Sequence, residues 1–197
     1  MAVPFVGLTG GLGAGKSTAL VELETLGAAV LSADAVVHEL YREPAVAAAV
    51  RGHFGDEVFD SGEQVDRAAL ATRVFDRDDD RAWLEQLIWP LVGRRTAEFY
   101  AQALRRDPPP RAVVLEAPLL FEGGGESRFD ATIAVIADDA IRNDRLAARG
   151  QAQLAQREAR QLSQAEKARR ASHVIVNDGT VEALRAQLAD VLEQLAC

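Results

Sequence analysis

Residues 8–18 read LTGGLGAGKST. Within them Gly10 to Ser17, GGLGAGKS, fit the pattern G-x-x-x-x-G-K-[S/T]. Those residue types at that spacing suit phosphate. Glycines let the backbone turn so that successive N–H groups face one concavity, and a helix opening at its end adds a positive dipole. The cradle is expected from Gly11, Leu12, Gly13, Ala14, Gly15, Lys16, Ser17 and Thr18, with Ser17 as the Mg²⁺ ligand and Thr18 as a phosphate contact. Lys16 is one of only two lysines among 22 basic residues; the other is Lys167. A compact ammonium on a long stem reaches the β- and γ-phosphates as a point charge. A guanidinium is wider, planar and forked. An arginine-preferring chain therefore keeps lysine where the site needs a small cation.

The loop alone does not separate kinase from GTPase or ATPase. A Ras-type GTPase needs an N-K-x-D segment late in the sheet, and the corresponding stretch here, VIVNDGT, has no lysine. A kinase needs an acid near the acceptor hydroxyl, cations for the transferring phosphoryl group and a second substrate lobe. Asp34 follows an apolar run and can take a proton from an attacking hydroxyl; it can equally cap the next helix. Glu116 closes another apolar run and can bind Mg²⁺ through water, orient the acceptor, or be a plain buried acid. Residues 142–170 carry seven arginines and Lys167 against three acids, a surplus of five positive charges. Such a run is a solvated helical face or the arginine-bearing lid of a small-molecule kinase, with Arg145 and Arg149 the candidates for phosphate contact.

These residues need a frame. VPFVGL (3–8) reads as a buried strand ended by the glycine loop, and KSTALVELETL (16–26) as a helix stopped at Gly27. AAVLSAD (28–34) is a second strand, completing a βαβ unit. The spacing predicts helices over 35–41, 44–54, 66–75, 78–88 and 90–106, with Asp66 at a helix start and Ala69, Leu70, Val74 and Phe75 as its buried stripe. DRDDDR (76–81) reads as a solvated turn and helix start in preference to a metal site. Pro108 to Pro110 close that helical stretch. Strands follow at 111–120, 130–137 and 172–178, then an amphipathic helix over 180–195 with Val181, Leu184, Leu188, Val191, Leu192 and Leu195 on one side. The expected fold is an α/β P-loop kinase: a five-stranded parallel sheet flanked by helices, with a helical substrate-binding insertion and an arginine-bearing lid.

At 197 residues the chain suits one core with a lobe. Its net charge of −8 argues against broad nucleic-acid or anionic-membrane binding. The single cysteine, Cys197, permits no internal disulfide. No signal peptide or membrane span is evident, so cytoplasm is the expected compartment. No obligatory protein partner is evident either.

Taken together, the motifs resemble the dephospho-coenzyme A kinase family over nearly the whole chain. LTGGLGAGKST stands where that family shows LTGGIGSGKST. Ser32-Ala33-Asp34 aligns with D-A-D. Arg67, Leu70, Val74 and Phe75 fit R-x-x-L-x-x-x-V-F, and Pro118 to Glu122 give P-L-L-F-E. Arg145-Leu146 leads into the lid segment, and Asn177-Asp178-Gly179 matches N-x-G. The resemblance implies that ATP, with Mg²⁺, phosphorylates the ribose 3′-hydroxyl of dephospho-CoA. It implies Asp34 as base, and Asp34, His38, Arg67, Pro118 and Leu119 as acceptor contacts. It divides the chain into a nucleotide core (1–34, 111–138, 171–197), an acceptor lobe (35–110) and a lid (139–170). Four positions depart from the family pattern: Ser32 replaces its first acid, His38 its arginine, Trp89 its histidine, and Gly150 the acid after Arg149. A related kinase with a different nucleoside or nucleotide acceptor, and a nucleotide-binding protein without turnover, are the alternatives.

Overall fold

Val6 and Leu8 alternate with Gly7 and Thr9 along the first strand, β1 (Phe5–Gly10), and all four are buried. A strand hidden on both faces belongs in the middle of a parallel sheet. In the computed structural model of the chain, which describes residues 2–148 and 161–196, β1 is the central strand of five. The others are β2 (Ala29–Ser32), β3 (Val113–Glu116), β4 (Ala131–Ile136) and β5 (His173–Val176), in the order β2-β3-β1-β4-β5. Every neighbouring pair is parallel, as expected. The chain leaves β1 towards one side of the sheet and later returns to build the other. Ligand crevices form at the carboxyl ends of strands beside such a switch.

On one face Val6, Leu8, Val114, Ile133, Val135 and Ile175 meet Ala19 and Leu23 of helix α1 (Lys16–Thr25). Leu184, Leu188 and Leu192 of the last helix (Val181–Leu195) complete this core. Each fully buried leucine contributes about 1.5–3 kcal/mol. Val181, expected on the buried side of that helix, is exposed, because it lies in the first turn, ahead of the packed stripe. The opposite face needs a glycine at position 7: a Cβ there would stand 2.4 Å from Leu120 Cδ1 and 3.0 Å from Phe129 Cδ2. Phe5 packs nearby, its ring 4.7 Å from Phe129 and 5.2 Å from Tyr100.

Residues Ala33–Phe99 form a second compact unit. It contains α2 (Ala33–Leu40), α3 (Pro44–Phe54), α4 (Arg67–Phe75) and most of α5 (Asp78–Ala103). Val36, Leu40, Val46, Val50, Phe54, Val58, Val65, Leu70 and Ile88 are its buried residues. Asp66 caps α4, accepting from the amides of Ala68 and Ala69 at 2.8 and 3.1 Å. Of the stripe expected on α4 only Leu70 is buried, and Phe75 is exposed. The DRDDDR run leads into α5; Arg81 pairs with Asp78 and Arg77 with Asp80, which also lies 3.0 Å from His53 Nε2. Among the described residues no group of three or more His, Cys, Asp or Glu side chains could hold a metal ion.

Two boundaries differ from expectation. Helices were expected over 78–88 and 90–106, yet α5 runs through Pro90. Proline removes the amide that would bond the carbonyl of Gln86, at a cost of about 3 kcal/mol. The long helical segments on either side carry the axis through. The lobe was expected to reach 110, but residues from Tyr100 onward group with the sheet. The Tyr100 ring packs on Phe5, its hydroxyl donates to the carbonyl of Val3, and Ala103 is fully buried.

Candidate active site

The glycine loop joins β1 to α1. Gly15, the residue before the helix, has φ 99° and ψ 23°, a left-handed conformation that suits glycine. A Cβ at that position would stand 2.1 Å from Nδ2 of Asn177. Asn177 is buried, and that amide nitrogen donates to the carbonyl of Ala14 at 2.8 Å. The buried Arg142, on α6 (Asp139–Ala148), donates from Nε to the carbonyl of Leu12 at 2.7 Å and pairs with Asp139 at 2.7 Å. Gln164 begins α7 (Gln164–Arg170) and brackets the backbone of Ala137, accepting from its amide at 3.0 Å and donating to its carbonyl at 2.9 Å. Its Cγ stands 2.7 Å from where a Cβ on Gly11 would be. Two side chains from distant segments thus hydrogen-bond the loop from outside, and a third packs against Gly11.

Lys16 Nζ donates to the carbonyls of Gly10 and Gly11 at 3.1 and 3.0 Å. The ammonium is therefore carried on the loop whose ligand it would meet. Ser17 is exposed, and its hydroxyl has no hydrogen-bond partner among the described residues. A cavity of about 180 Å³ opens beside the loop, lined by Gly15, Thr18, Arg145, Asn177, Gly179 and Val181. Arg145 Nη2 donates to the carbonyl of Asn177 at 3.0 Å. Its Nη1 is buried without a partner among the described residues, so the guanidinium keeps a donor uncommitted at the cavity. Arg149 and residues 150–160 of the expected lid lie outside the described residues.

At the carboxyl ends of β2 and β3, Ser32 Oγ donates to Glu116 Oε2 at 2.8 Å, and Glu116 is buried. A second acid in place of Ser32 would put two carboxylates against each other there. The next segment holds Pro118, whose carbonyl accepts from Thr9 Oγ1 at 3.2 Å and from Lys167 Nζ at 2.5 Å. Leu119 follows, 51% exposed. Burial pushes the pKa of the Lys167 ammonium down; its hydrogen bond and ion pair with Glu122, and then the charge of Glu116, oppose that fall.

Within the helical unit Asp34 sits in the first turn of α2, beyond the end of β2 rather than closing it. The helix starts at Ala33, so the capping alternative for Asp34 does not hold. Its carboxylate is exposed and unpaired among the described residues. His38 and Arg67, read from separate motifs, come together at 3.4 Å. Tyr41 joins them: burial pushes its phenol above the ordinary value while the charge of Arg67 opposes the rise.

Arg142, Gln164 and Lys167 were not singled out from the sequence as parts of this site. Arg142 and Gln164 carry no local signal for this role, since the carbonyls they bond, of Leu12 and Ala137, are more than twenty residues away. Lys167 did carry one, the same scarcity of lysine that marks Lys16.

A strand, a glycine loop bearing a lysine, and a helix, set at the middle of this sheet order, define a P-loop nucleotide-binding fold. The sequence profile of dephospho-CoA kinase matches residues 4–183. The dephospho-CoA kinase of Deinococcus radiodurans is 41% identical over 193 residues, covering 96% of this chain and 91% of that one. That of Bradyrhizobium diazoefficiens is 37% identical over 196 residues, covering 96% and 94%. Among solved structures, TT1252 from Thermus thermophilus superposes with a TM-score of 0.85 at 32% identity, covering 98% of each chain. Dephospho-CoA kinase from Campylobacter jejuni shares the fold, with a TM-score of 0.63 at 22% identity, covering 98% of this chain and 97% of that one. The chain belongs to the dephospho-CoA kinase family.

Proposed function

We propose that the chain transfers the γ-phosphoryl group of ATP to the ribose 3′-hydroxyl of dephospho-CoA, giving CoA and ADP. Family membership supports the reaction, and one observation carries its assignment to this chain. The phosphate loop is intact and braced around Lys16, and the carboxylate of Asp34 is uncommitted among the described residues.

In this reading the loop from Gly11 to Thr18 binds the phosphates of ATP. Asp34 accepts the proton of the 3′-hydroxyl as its oxygen attacks the γ-phosphorus, and the bond to the β,γ-bridging oxygen breaks. The ammonium of Lys16 and the guanidinium of Arg145 stabilise the negative charge on the transferring group. Ser17 would hold Mg²⁺, because an exposed, uncommitted hydroxyl is a hard oxygen donor of the kind that ion takes. Bound there, Mg²⁺ neutralises charge on the phosphate oxygens. His38, Arg67, Pro118 and Leu119 contact the acceptor, and the helical unit serves as the acceptor lobe.

The test is product identification. With Mg·ATP and a panel of dephospho-CoA, nucleosides and nucleotides, mass spectrometry should show dephospho-CoA gaining one phosphoryl group. Phosphorylation of a nucleoside or nucleotide with dephospho-CoA untouched would move the acceptor. ATP binding with no phosphorylated acceptor would remove the catalytic reading.

A further inference from the structure

Lys167 is fully enclosed in a chain that uses arginine for almost every other cation. Its Nζ meets three acceptors: the carbonyl of Pro118 at 2.5 Å, Glu122 Oε1 at 3.1 Å and Gln161 Oε1 at 3.5 Å. An ammonium has three donors and no acceptor, so this nest uses its full capacity. A planar guanidinium could not address three converging acceptors in the same enclosed space. Glu122 Oε1 also accepts from the amide of Leu162 at 2.8 Å. One buried charge therefore fastens both ends of the segment 118–122 to α7 and the residues that lead into it. The same Pro118 carbonyl takes a bond from Thr9 on β1, the strand that feeds the phosphate loop. Between the fastened ends Leu119 is held out, 51% exposed.

Stability alone is a poor reason for this arrangement. A buried ion pair replaced by apolar groups of similar volume is often neutral or more stable. What an ammonium between a carbonyl and a carboxylate does well is fix the relative position of the two segments that bear them.

We infer that Lys167 is a positioning residue for the acceptor: its ammonium sets the conformation of segment 118–122 so that Pro118 and Leu119 meet dephospho-CoA. This rests on the proposed function, which assigns Pro118 and Leu119 to the acceptor. Lys167 itself touches no reacting atom.

The experiment is steady-state kinetics of Lys167→Met beside the wild type, with each substrate varied in turn, well below both melting temperatures. Wild-type turnover on dephospho-CoA is measured first. If it is missing, the proposed function falls and this inference falls with it. With the wild type active, Lys167→Met should raise KM for dephospho-CoA roughly tenfold, because the one group that ties Pro118 and Glu122 to each other is lost. KM for ATP should stay where it was. Unchanged KM values for both substrates, whatever the melting temperature does, would make Lys167 a stability element and overturn the inference. A parallel rise in both would also overturn it, since the effect would then not be on the acceptor. If Lys167→Met does not fold, Glu122→Gln decides on the same two readouts. It keeps the side-chain shape and removes the charge that faces the ammonium.

Discussion

Two lysines in a chain of arginines mark two places where a small, three-donor cation is required, and only one of them could be interpreted without coordinates. Lys16 stands inside a motif whose neighbours explain it. Lys167 stands on an unremarkable helical stretch, and its partners at Pro118 and Glu122 come from a distant segment. Replacing Lys16 by arginine should keep the fold and lower kcat by about a hundredfold or more, as expected when a preorganised cation at the transferring charge is lost. Near-normal turnover in Lys16→Arg would show that charge alone suffices. Gly15→Ala makes the opposite kind of test, of backbone and space. The left-handed φ of 99° and the Asn177 nitrogen 2.1 Å from the added Cβ both resist the methyl group. Urea unfolding should show a loss of about 1–3 kcal/mol, and no loss would mean that the loop relaxes freely.

Among the elements, β1, α1 and the strand-end glycine loop were legible because their signals are local: an apolar run, a glycine cluster, then helical spacing. Helix α5 was not, because Pro90 is a strong local stop that the rest of a long helix overrides. The ends of β2 and β3 were read too long for a related reason. Apolar residues such as Leu119 and Leu120 continue past the last paired position, and hydrophobicity does not register where pairing stops. Helix α7 offers a pH prediction. Hydrogen bonds from Arg169 and Arg170 hold the Glu166 carboxyl down at about 2, against an ordinary 4.5. A carboxylate with a depressed folded-state pKa stabilises the fold above its unfolded value. The unfolded chain binds more protons between the two, so that stability is lost as pH falls from 4.5 towards 2. Thermal melts of Glu166→Gln should lack this part of the acid sensitivity, and the difference from wild type should shrink in high salt. Parallel melting curves through that window would contradict it.

For the molecule as a whole, the five parallel strands and a helical insertion after the second were readable from local runs and their spacing; the central place of β1 was not, because β3 and β4, which flank it, come from much later in the chain. The bracing of the phosphate loop by Arg142 and Asn177, with Gln164 packed against Gly11, was not, since it depends on segments that only the sheet order brings together. Nor does the net charge of −8 foretell a cationic site; the positive groups are few and placed. The central claim is that this scaffold couples ATP to one acceptor hydroxyl through Asp34. Coupled ADP release with Mg·ATP, with and without dephospho-CoA, on wild type and Asp34→Asn, tests it most directly. The account predicts ADP release that requires dephospho-CoA and collapses in Asp34→Asn while ATP still binds. Release that ignores dephospho-CoA, or that survives the loss of the carboxylate, would contradict it.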